Sequence, residues 1–433
     1  MRSKYALAGW LTLWIFCIGR GQDYGSWIIS GSLQRNSINP GAAMTSSFNA
    51  ALANYHFHLS TDGPAIADIT SVNASGNRYL DFSRFNNAFN EINNIQLNSR
   101  LQSVGLGFKL RDFTILAGHS FNVAGDMSYT GALANLAALG NAAFIGQTIE
   151  IGPSFRLFAW NELYVGLQHQ AGKLGVGGRV KFLFGTAGVQ TERNSIRFTT
   201  DEEYYQLRFQ NDYLIRSSAL FKINTVEEID FSYPDFTFEN LFYNNFGIAL
   251  DLGLTYRLTD KTELGLSLLN LGKINWDFFP RAFSSKGNFS FEGVDVVKYI
   301  SDSTGINIAD TLIGIFSFDE SIEPFSSRLP SSLLAGFSHR YSDLWSFHGL
   351  ARVDEFDFQN RSALTVGAVH HLGIINIGLN YTIRKNNYAL FGLSAYGKLG
   401  PFTAYLHTEH IPAWISPLRY KSFNIALGGG ISF

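Results

Sequence analysis

Ser422–Phe433 reads Ser-Phe-Asn-Ile-Ala-Leu-Gly-Gly-Gly-Ile-Ser-Phe, and its reading decides the fold. Phe423, Ile425, Leu427, Ile431 and Phe433 share one parity, while Asn424, Ala426, Gly428, Gly430 and Ser432 share the other. That alternation is a strand with one apolar and one small or polar face. A strand at the end of a chain needs a neighbour for its free edge, because an open edge is costly in lipid and sticky in water. The expectation is the closing strand of a barrel.

The same period recurs upstream. In Phe246–Arg257, residues Phe246, Ile248, Leu250, Leu252, Leu254 and Tyr256 alternate with Gly247, Ala249, Asp251, Gly253, Thr255 and Arg257. Val104–Leu110, Val176–Phe184, Leu264–Leu268 and Ile377–Arg384 repeat it. From Ser331 onward, strands of about ten residues follow one another with connectors that alternate between short and longer. Strands of that length, tilted near 45°, rise roughly 24 Å, which matches the ~25 Å apolar band of an outer membrane. The consistently apolar face then points to lipid. The other face carries charge of both signs, which a polar lumen tolerates: Arg179, Lys181, Asp251, Arg257, Glu263 and Arg384 are the lumen-facing candidates. The plainer reading of these charges is pairing with neighbours that fixes register. A soluble β-sandwich would bury the apolar face instead; chain length, regular strands and the asymmetry of short turns and long loops favour the barrel.

Composition agrees. Charged residues are 16% and aromatics 15% of the 433 residues, with 42 Gly and 10 Pro, a balance that suits a membrane barrel. The net charge of −2 and the lack of a basic cluster argue against a nucleic-acid partner. Arg2 and Lys4, the apolar run Tyr5–Ile18 and the small Gly19 and Gly21 read as a signal peptide over residues 1–21, cleaved before Gln22. Cys17, the single cysteine, lies in that leader, so the mature chain has no disulfide; Phe16 before it is too large for a lipoprotein signal.

Residues 22–46 precede the first strand and hold the turn Asn39-Pro40-Gly41. Two readings stay open: a plug-like segment folded into the barrel, or an ordinary amino-terminal turn. Residues 47–433 form the barrel, of about sixteen strands with fourteen as the alternative. Three long excursions, Ser60–Arg100, Asn122–Gly146 and Trp276–Pro330, are expected to be partly helical, with helices at Phe85–Ile95, Leu133–Leu139 and about Val294 and Val297. Gln147–Phe158 and Glu162–Gln170 are expected as a hairpin about Trp160-Asn161. Gly185–Tyr243 reads as strand material reaching beyond the membrane. Trp276, Trp345 and Trp414 read as interface anchors.

Ten histidines invite a metal reading, but His56/His58, His370/His371 and His407/His410 complete no recognised ligand set, so no metal and no cofactor is expected. No nucleophile elbow, phosphate loop or catalytic set is present, and an enzyme is not expected.

Several motifs point to a family: Asn39-Pro40-Gly41-Ala42, then Gly178-Arg179-Val180-Lys181-Phe182-Leu183 with Gly185, the strand Gly247–Arg257, Leu269-Asn270-Leu271-Gly272-Lys273-Ile274-Asn275-Trp276, Leu329-Pro330, and Asn424-Ile425 before the Gly-rich end. The chain resembles an uncharacterised family of Bacteroidota outer-membrane barrels, a domain of unknown function, over nearly its whole mature length. It is more distantly similar to fatty-acid transporter barrels, which have fourteen strands and an amino-terminal hatch, and to barrels of the type IX secretion system. The resemblance implies no ligand residues. Together these readings lead to a porin-like protein of the bacterial outer membrane that binds or passes a small hydrophobic solute. The alternative is a non-transporting surface or secretion-associated barrel that scaffolds a protein partner. Expected partners are outer-membrane lipid and the barrel-assembly machinery, for which Phe433 is the assembly signal.

Overall fold

The computed structural model describes residues 24–29, 32–85, 87–218, 222–223, 229–230, 237–291, 318–355, 361–384 and 387–433. The leader, including Cys17, and the expected helix about Val294 and Val297 lie outside them.

A sheet in lipid must pair all its backbone groups and so must close on itself. Fourteen antiparallel strands do so here: β1 (Phe48–Thr61), β2 (Ile92–Leu110), β3 (Phe113–Thr130), β4 (Ser154–Ala171), β5 (Leu174–Thr200), β6 (Phe246–Thr259), β7 (Thr262–Trp276), β8 (Ser331–Arg340), β9 (Trp345–Glu355), β10 (Arg361–Leu372), β11 (Ile375–Arg384), β12 (Asn387–Leu399), β13 (Phe402–Thr408) and β14 (Ser422–Ser432). Chain order is also the order around the barrel. It closes where β14 meets β1, with Asn49 opposite Ser432 and Ser60 opposite Ser422. The expected pairing of first and last strands is therefore present. Ile248, Leu252, Leu254, Leu264 and Leu266 are exposed on the outer wall, while Ala249, Asp251, Thr255 and Ser267 are buried within. The apolar outer face identifies a transmembrane β-barrel.

The turns at Arg111-Asp112, Gly172-Lys173, Asp260-Lys261, Gly373 and Gly400 lie at one end. Gly373 and Gly400 adopt positive φ angles of 77° and 58° there, the conformation that tight hairpin turns demand. Phe433 lies at the same end: its N–H donates to Phe48 O at 2.9 Å, and its ring stacks on that of Phe48 with centroids 6.3 Å apart. Deleting Phe433 is expected to cut the yield of membrane-inserted barrel several-fold while leaving solute behaviour of the inserted fraction unchanged. Heat-modifiable migration of membrane fractions checks this; an unchanged yield would contradict it.

The fourteen-strand count differs from sixteen because of Gly185–Tyr243. β5 is 27 residues long and rises past the barrel. Leu207–Ser218 folds back along its upper half, and Pro280–Phe291 pairs with Leu207–Ser218 in turn. These strands extend the sheet above the wall without joining the ring, in keeping with strand material beyond the membrane.

The first excursion is shorter than its expected bounds, because β1 runs to Thr61 and β2 begins at Ile92, whereas the third lies between Trp276 and Ser331 as expected. No helix spans Phe85–Ile95: a single turn, Phe82–Phe85, precedes β2, which begins at Ile92. Side chains that bond the backbone locally compete with helix. Asn93 Oδ1 accepts from Asn90 N (3.0 Å), Asn93 Nδ2 donates to Asn90 O (2.9 Å), and Asp62 takes Asn94 N (2.5 Å). Hydroxyl bonds from Ser71 and Ser83 tie down the half-buried Asp81 carboxyl in the same loop and hold its pKa at about 2. The second helix forms as Gly131–Leu139, capped by Thr130, which accepts from Leu133 N at 3.1 Å.

The hairpin about Trp160-Asn161 does not exist. β4 runs unbroken from Ser154 to Ala171. Its inward parity continues through Arg156, Phe158, Trp160, Glu162 and Tyr164, and the register slip beside Trp160 comes from an extra residue, Thr186, on β5. Trp276 is no interface anchor either. It is fully buried, stacked on Phe158 (5.4 Å) and Phe325 (5.9 Å), and its Nε1 donates to Ser327 Oγ. Trp345 is exposed at the start of β9, and Trp414 is exposed on a short helix, Ile411–Ile415, in the connection between β13 and β14.

Candidate functional site

Residues 24–29 and 32–46 lie inside the barrel. Two short helices, α1 (Tyr24–Ile28) and α2 (Leu33–Ile38), are followed by the Asn39-Pro40-Gly41 turn. Asn39 closes that turn on itself, its Oδ1 accepting from Gly41 N at 2.9 Å. Too short to be stable alone, the helices depend on the wall. Their contacts run round it: Trp27 Nε1 donates to Phe337 O (3.2 Å), Asn39 Nδ2 to Leu254 O (3.1 Å), Ser267 Oγ to Ile38 O (2.7 Å), Thr255 Oγ1 to Gly41 O (3.0 Å) and Lys109 Nζ to Met44 O (3.0 Å).

The wall is paved with glycine where this segment touches it. A Cβ on Gly177 would sit 2.1 Å from Pro40 O, and one on Gly253 would sit 2.3 Å from Asn39 Oδ1. Gly265 and Gly336 make room for the Trp27 ring in the same way. Gly therefore serves here as the residue that lets two backbones meet. Apolar contact adds to this. Tyr24, Trp27 and Ile38 pack on the inward-facing Leu269, Leu334 and Leu350, and Leu33 and Met44 on Leu116 and Tyr164.

A buried ion-pair cluster meets the segment from the wall. Arg179 and Asp251 are direct cross-strand partners, and Lys181 shares the face of Arg179. Arg179 Nη2 reaches Asp251 Oδ2 at 2.7 Å and Ser37 O at 2.6 Å. Lys181 Nζ is 2.9 Å from the same Asp251 oxygen, 3.4 Å from Glu162 and 2.6 Å from Asn270 Oδ1, and Arg100 approaches Glu162 at 3.8 Å. Asp251, Glu162, Arg179 and Lys181 are all buried. A bulge makes the arrangement possible. Between Leu250 and Leu252 the β6–β7 register slips, and Asn270 takes φ +61°. Its N–H then donates to Asp251 Oδ1 at 2.7 Å, and its Nδ2 to Pro330 O at 3.1 Å. Asn tolerates that backbone region better than most residues.

The six lumen candidates thus separate. Arg179, Lys181 and Asp251 converge. Glu263 turns to the inner segment instead, pairing with the buried Arg35 at 2.5 Å. Arg257 is exposed at the short-turn rim, where its Nη2 donates to Gly172 O, so it belongs to the mouth and not to a shared set with Asp251 and Glu263. Arg384 lies elsewhere, bonded to Glu409 and 3.3 Å from His58 Nε2. With Arg352–Asp354 (2.7 Å) and Arg156–Asp126 (3.5 Å), it belongs to a second charged tier on the lumen wall. The cavity bounded by Ser37, Arg100, Lys181, Asn270, Ser332 and Arg352 is only about 10 Å³, room for about one water.

Sequence reading missed Glu162, Arg100 and Arg35. Glu162 sat beside the supposed turn at Trp160-Asn161. Its signal is a lone acid on the inward parity of β4, one inward position from Tyr164, the cross-strand partner of Lys181. Among the described residues, no group of three His, Cys, Asp or Glu side chains gathers as a metal site. His407 bonds Ser394 (2.7 Å), and His370 packs on Trp345.

A closed fourteen-strand transmembrane barrel, crossed inside by its own amino-terminal segment, is the class this geometry defines. The chain belongs to the family of unknown function DUF5723, which matches residues 40–409. No curated protein matches it. Among solved structures it is similar to the toluene transporter TbuX of Ralstonia pickettii, at 11% identity and a TM-score of 0.43, covering 90% of each chain. It is also similar to a FadL homologue of Pseudomonas aeruginosa, at 10% identity and a TM-score of 0.44, covering 94% of this chain and 96% of that one. The toluene transporter TodX of Pseudomonas putida aligns at 10% identity and a TM-score of 0.41, covering 91% and 92%.

Proposed function

We propose that this is a bacterial outer-membrane barrel that binds or passes a small hydrophobic solute, with residues 22–46 acting as a plug that must yield. One observation carries the reading. The inner wall bears apolar side chains, Leu269, Leu334, Leu350 and Leu116, and all of them are covered by Tyr24, Trp27, Ile38, Leu33 and Met44. A lumen wall that served only water would have no use for them. Displacing the segment would bare an apolar lining that a hydrophobic solute can take over. The lumen charges fix the strands around that lining and do not select the solute.

The test is a fluorescent apolar dye titrated into refolded barrel. Barrel lacking residues 22–45 is expected to bind about one dye per chain, and Leu334→Ser with Leu350→Ser in that background is expected to weaken binding at least tenfold, given that each buried leucine contributes ~2 kcal/mol or more. Dye binding that ignores both leucines would overturn the reading. A second reading, the non-transporting scaffold, is favoured by the 10 Å³ cavity beside the charged tier. It requires the barrel to stay closed with the segment gone and to hold a protein partner through its loops.

A further inference from the structure

The outer wall changes character near the top of β7. Its lipid-facing row is apolar along β6 and β7, yet Lys273 and Arg328 both face outward and stand directly opposite each other across a strand pair. Like charges so placed repel. Neither makes an ion pair or side-chain hydrogen bond among the described residues. The sheet itself creates the juxtaposition. β7 pairs with β8 up to Leu269 and Ser332, the chain turns at Leu329-Pro330, and Phe325–Arg328 takes over as the neighbour of β7 from Lys273 upward. Leu329 N donating to Gly272 O (3.0 Å) holds that change of partner.

The break leaves a notch of about 380 Å³ in the wall. Leu271, Lys273, Arg328 and Glu355 line its sides, with Asn270 and Arg156 behind. Arg156 is already engaged by Asp126, and Glu355 accepts from Ser331 Oγ at 3.1 Å. The height is decisive. Lys273 lies twelve residues beyond Lys261 at the short-turn end. At about 3.3 Å per residue and a tilt near 40°, that is roughly 30 Å, the far edge of the ~25 Å apolar band. Exposed Ile248, the cross-strand partner of Lys273, and Leu271 carry the apolar outer face up to that height, and exposed Phe246 one step above Ile248 on β6 places an aromatic ring at the edge.

We infer that Lys273 and Arg328 form a binding site for the phosphate headgroup of an anionic membrane lipid in the leaflet on the long-loop side. Two cations bracket one phosphate, the Arg fork donating to two of its oxygens and the Lys ammonium to a third. The acyl chains run down the apolar wall past Leu271 and Ile248. The Glu355 carboxylate at the edge of the notch repels a phosphate, so the headgroup docks on the side of the two cations. This assignment rests on the lipid-facing wall alone and stands or falls independently of the solute reading.

Native mass spectrometry of the full mature barrel in non-ionic detergent, titrated with lipid A, with phosphatidylcholine and with inorganic phosphate, tests it. Wild type is expected to retain one lipid A, not phosphatidylcholine, and millimolar inorganic phosphate is not expected to displace it. Lys273→Gln and Arg328→Gln should each weaken retention about fivefold, and the pair roughly thirtyfold. Arg328→Glu guards against misfolding: it places opposite charges across the strands, so the barrel should melt at the same or a higher temperature while losing the lipid. Equal retention by the folded Arg328→Glu barrel would overturn the assignment, and so would displacement by inorganic phosphate, which would mark a free-anion site.

Discussion

Asp251→Ala is expected to destabilise the barrel by about 3–5 kcal/mol, the largest effect of any single lumen substitution considered. Asp251 is the shared acceptor for Arg179 and Lys181, at 2.7 and 2.9 Å, and for Asn270 N–H at 2.7 Å. Removing it leaves two buried cations with one carboxylate, Glu162, at 3.4 Å from Lys181. It also strips the bulge at Asn270 of the bond that holds its backbone, so the loss is both electrostatic and conformational. Asp251→Asn keeps an acceptor of the same shape and should fall between wild type and alanine. Because the penalty comes from uncompensated charge, adding Lys181→Met to Asp251→Ala should recover part of it, a coupling that a double-mutant cycle reads directly. Urea unfolding in lipid, followed by intrinsic tryptophan fluorescence, provides the comparison. If Asp251→Ala unfolds at the wild-type midpoint, the cluster is not what holds β5, β6 and β7 in register.

Gly177→Val is expected to expel the inner segment without unfolding the barrel. A Cβ there would lie 2.1 Å from Pro40 O and 2.6 Å from its carbonyl carbon, and both are backbone atoms that cannot swing aside. The wall is closed by hydrogen bonds on both edges of β5, whereas the segment is held by scattered side-chain bonds and one apolar face. The weaker partner therefore moves. Gly178→Val is the matched control: it is one residue on, points the other way, and its Cβ would meet nothing nearer than 3.4 Å. The expected result is protease cleavage within residues 24–45 of Gly177→Val and none in Gly178→Val, with both barrels equally heat-modifiable. Cleavage of neither would mean that the segment tolerates the intrusion and is not seated on this glycine.

How much of this was legible in the sequence varies with the physics behind each part. Period-two alternation is a local property, and it yielded the wall strands, the closing partnership of β14 with β1 and the inward parity of Arg179, Lys181 and Asp251. It could not find bulges, because a bulge is where the period fails. At Trp160-Asn161 the period of β4 does not fail; the polar pair Asn161-Glu162 suits a turn as well as it suits a strand, and that hides Glu162. The run Leu269-Asn270 does break parity, and its role as the bulge that feeds Asp251 and Lys181 emerges only from the paired strands. The strand count went from sixteen to fourteen because β5 and Leu207–Ser218 have strand sequences but leave the ring. For Phe85–Ile95 the apolar spacing suited a helix, and Asn90, Asn93 and Asp62 overrode it with local side-chain bonds. The Asn39-Pro40-Gly41 turn was plain. That it would meet Gly177 and Gly253 was not, since close approach between distant glycines leaves no trace in periodicity.

If the amino-terminal segment closes an otherwise open barrel, ion conductance in planar bilayers should distinguish the mature barrel from the barrel lacking residues 22–45 and from Gly177→Val. The prediction is a silent mature barrel and stepwise conductance from both altered forms. Silence from all three would contradict it and would leave the charged tier, with its 10 Å³ cavity, as the true closure.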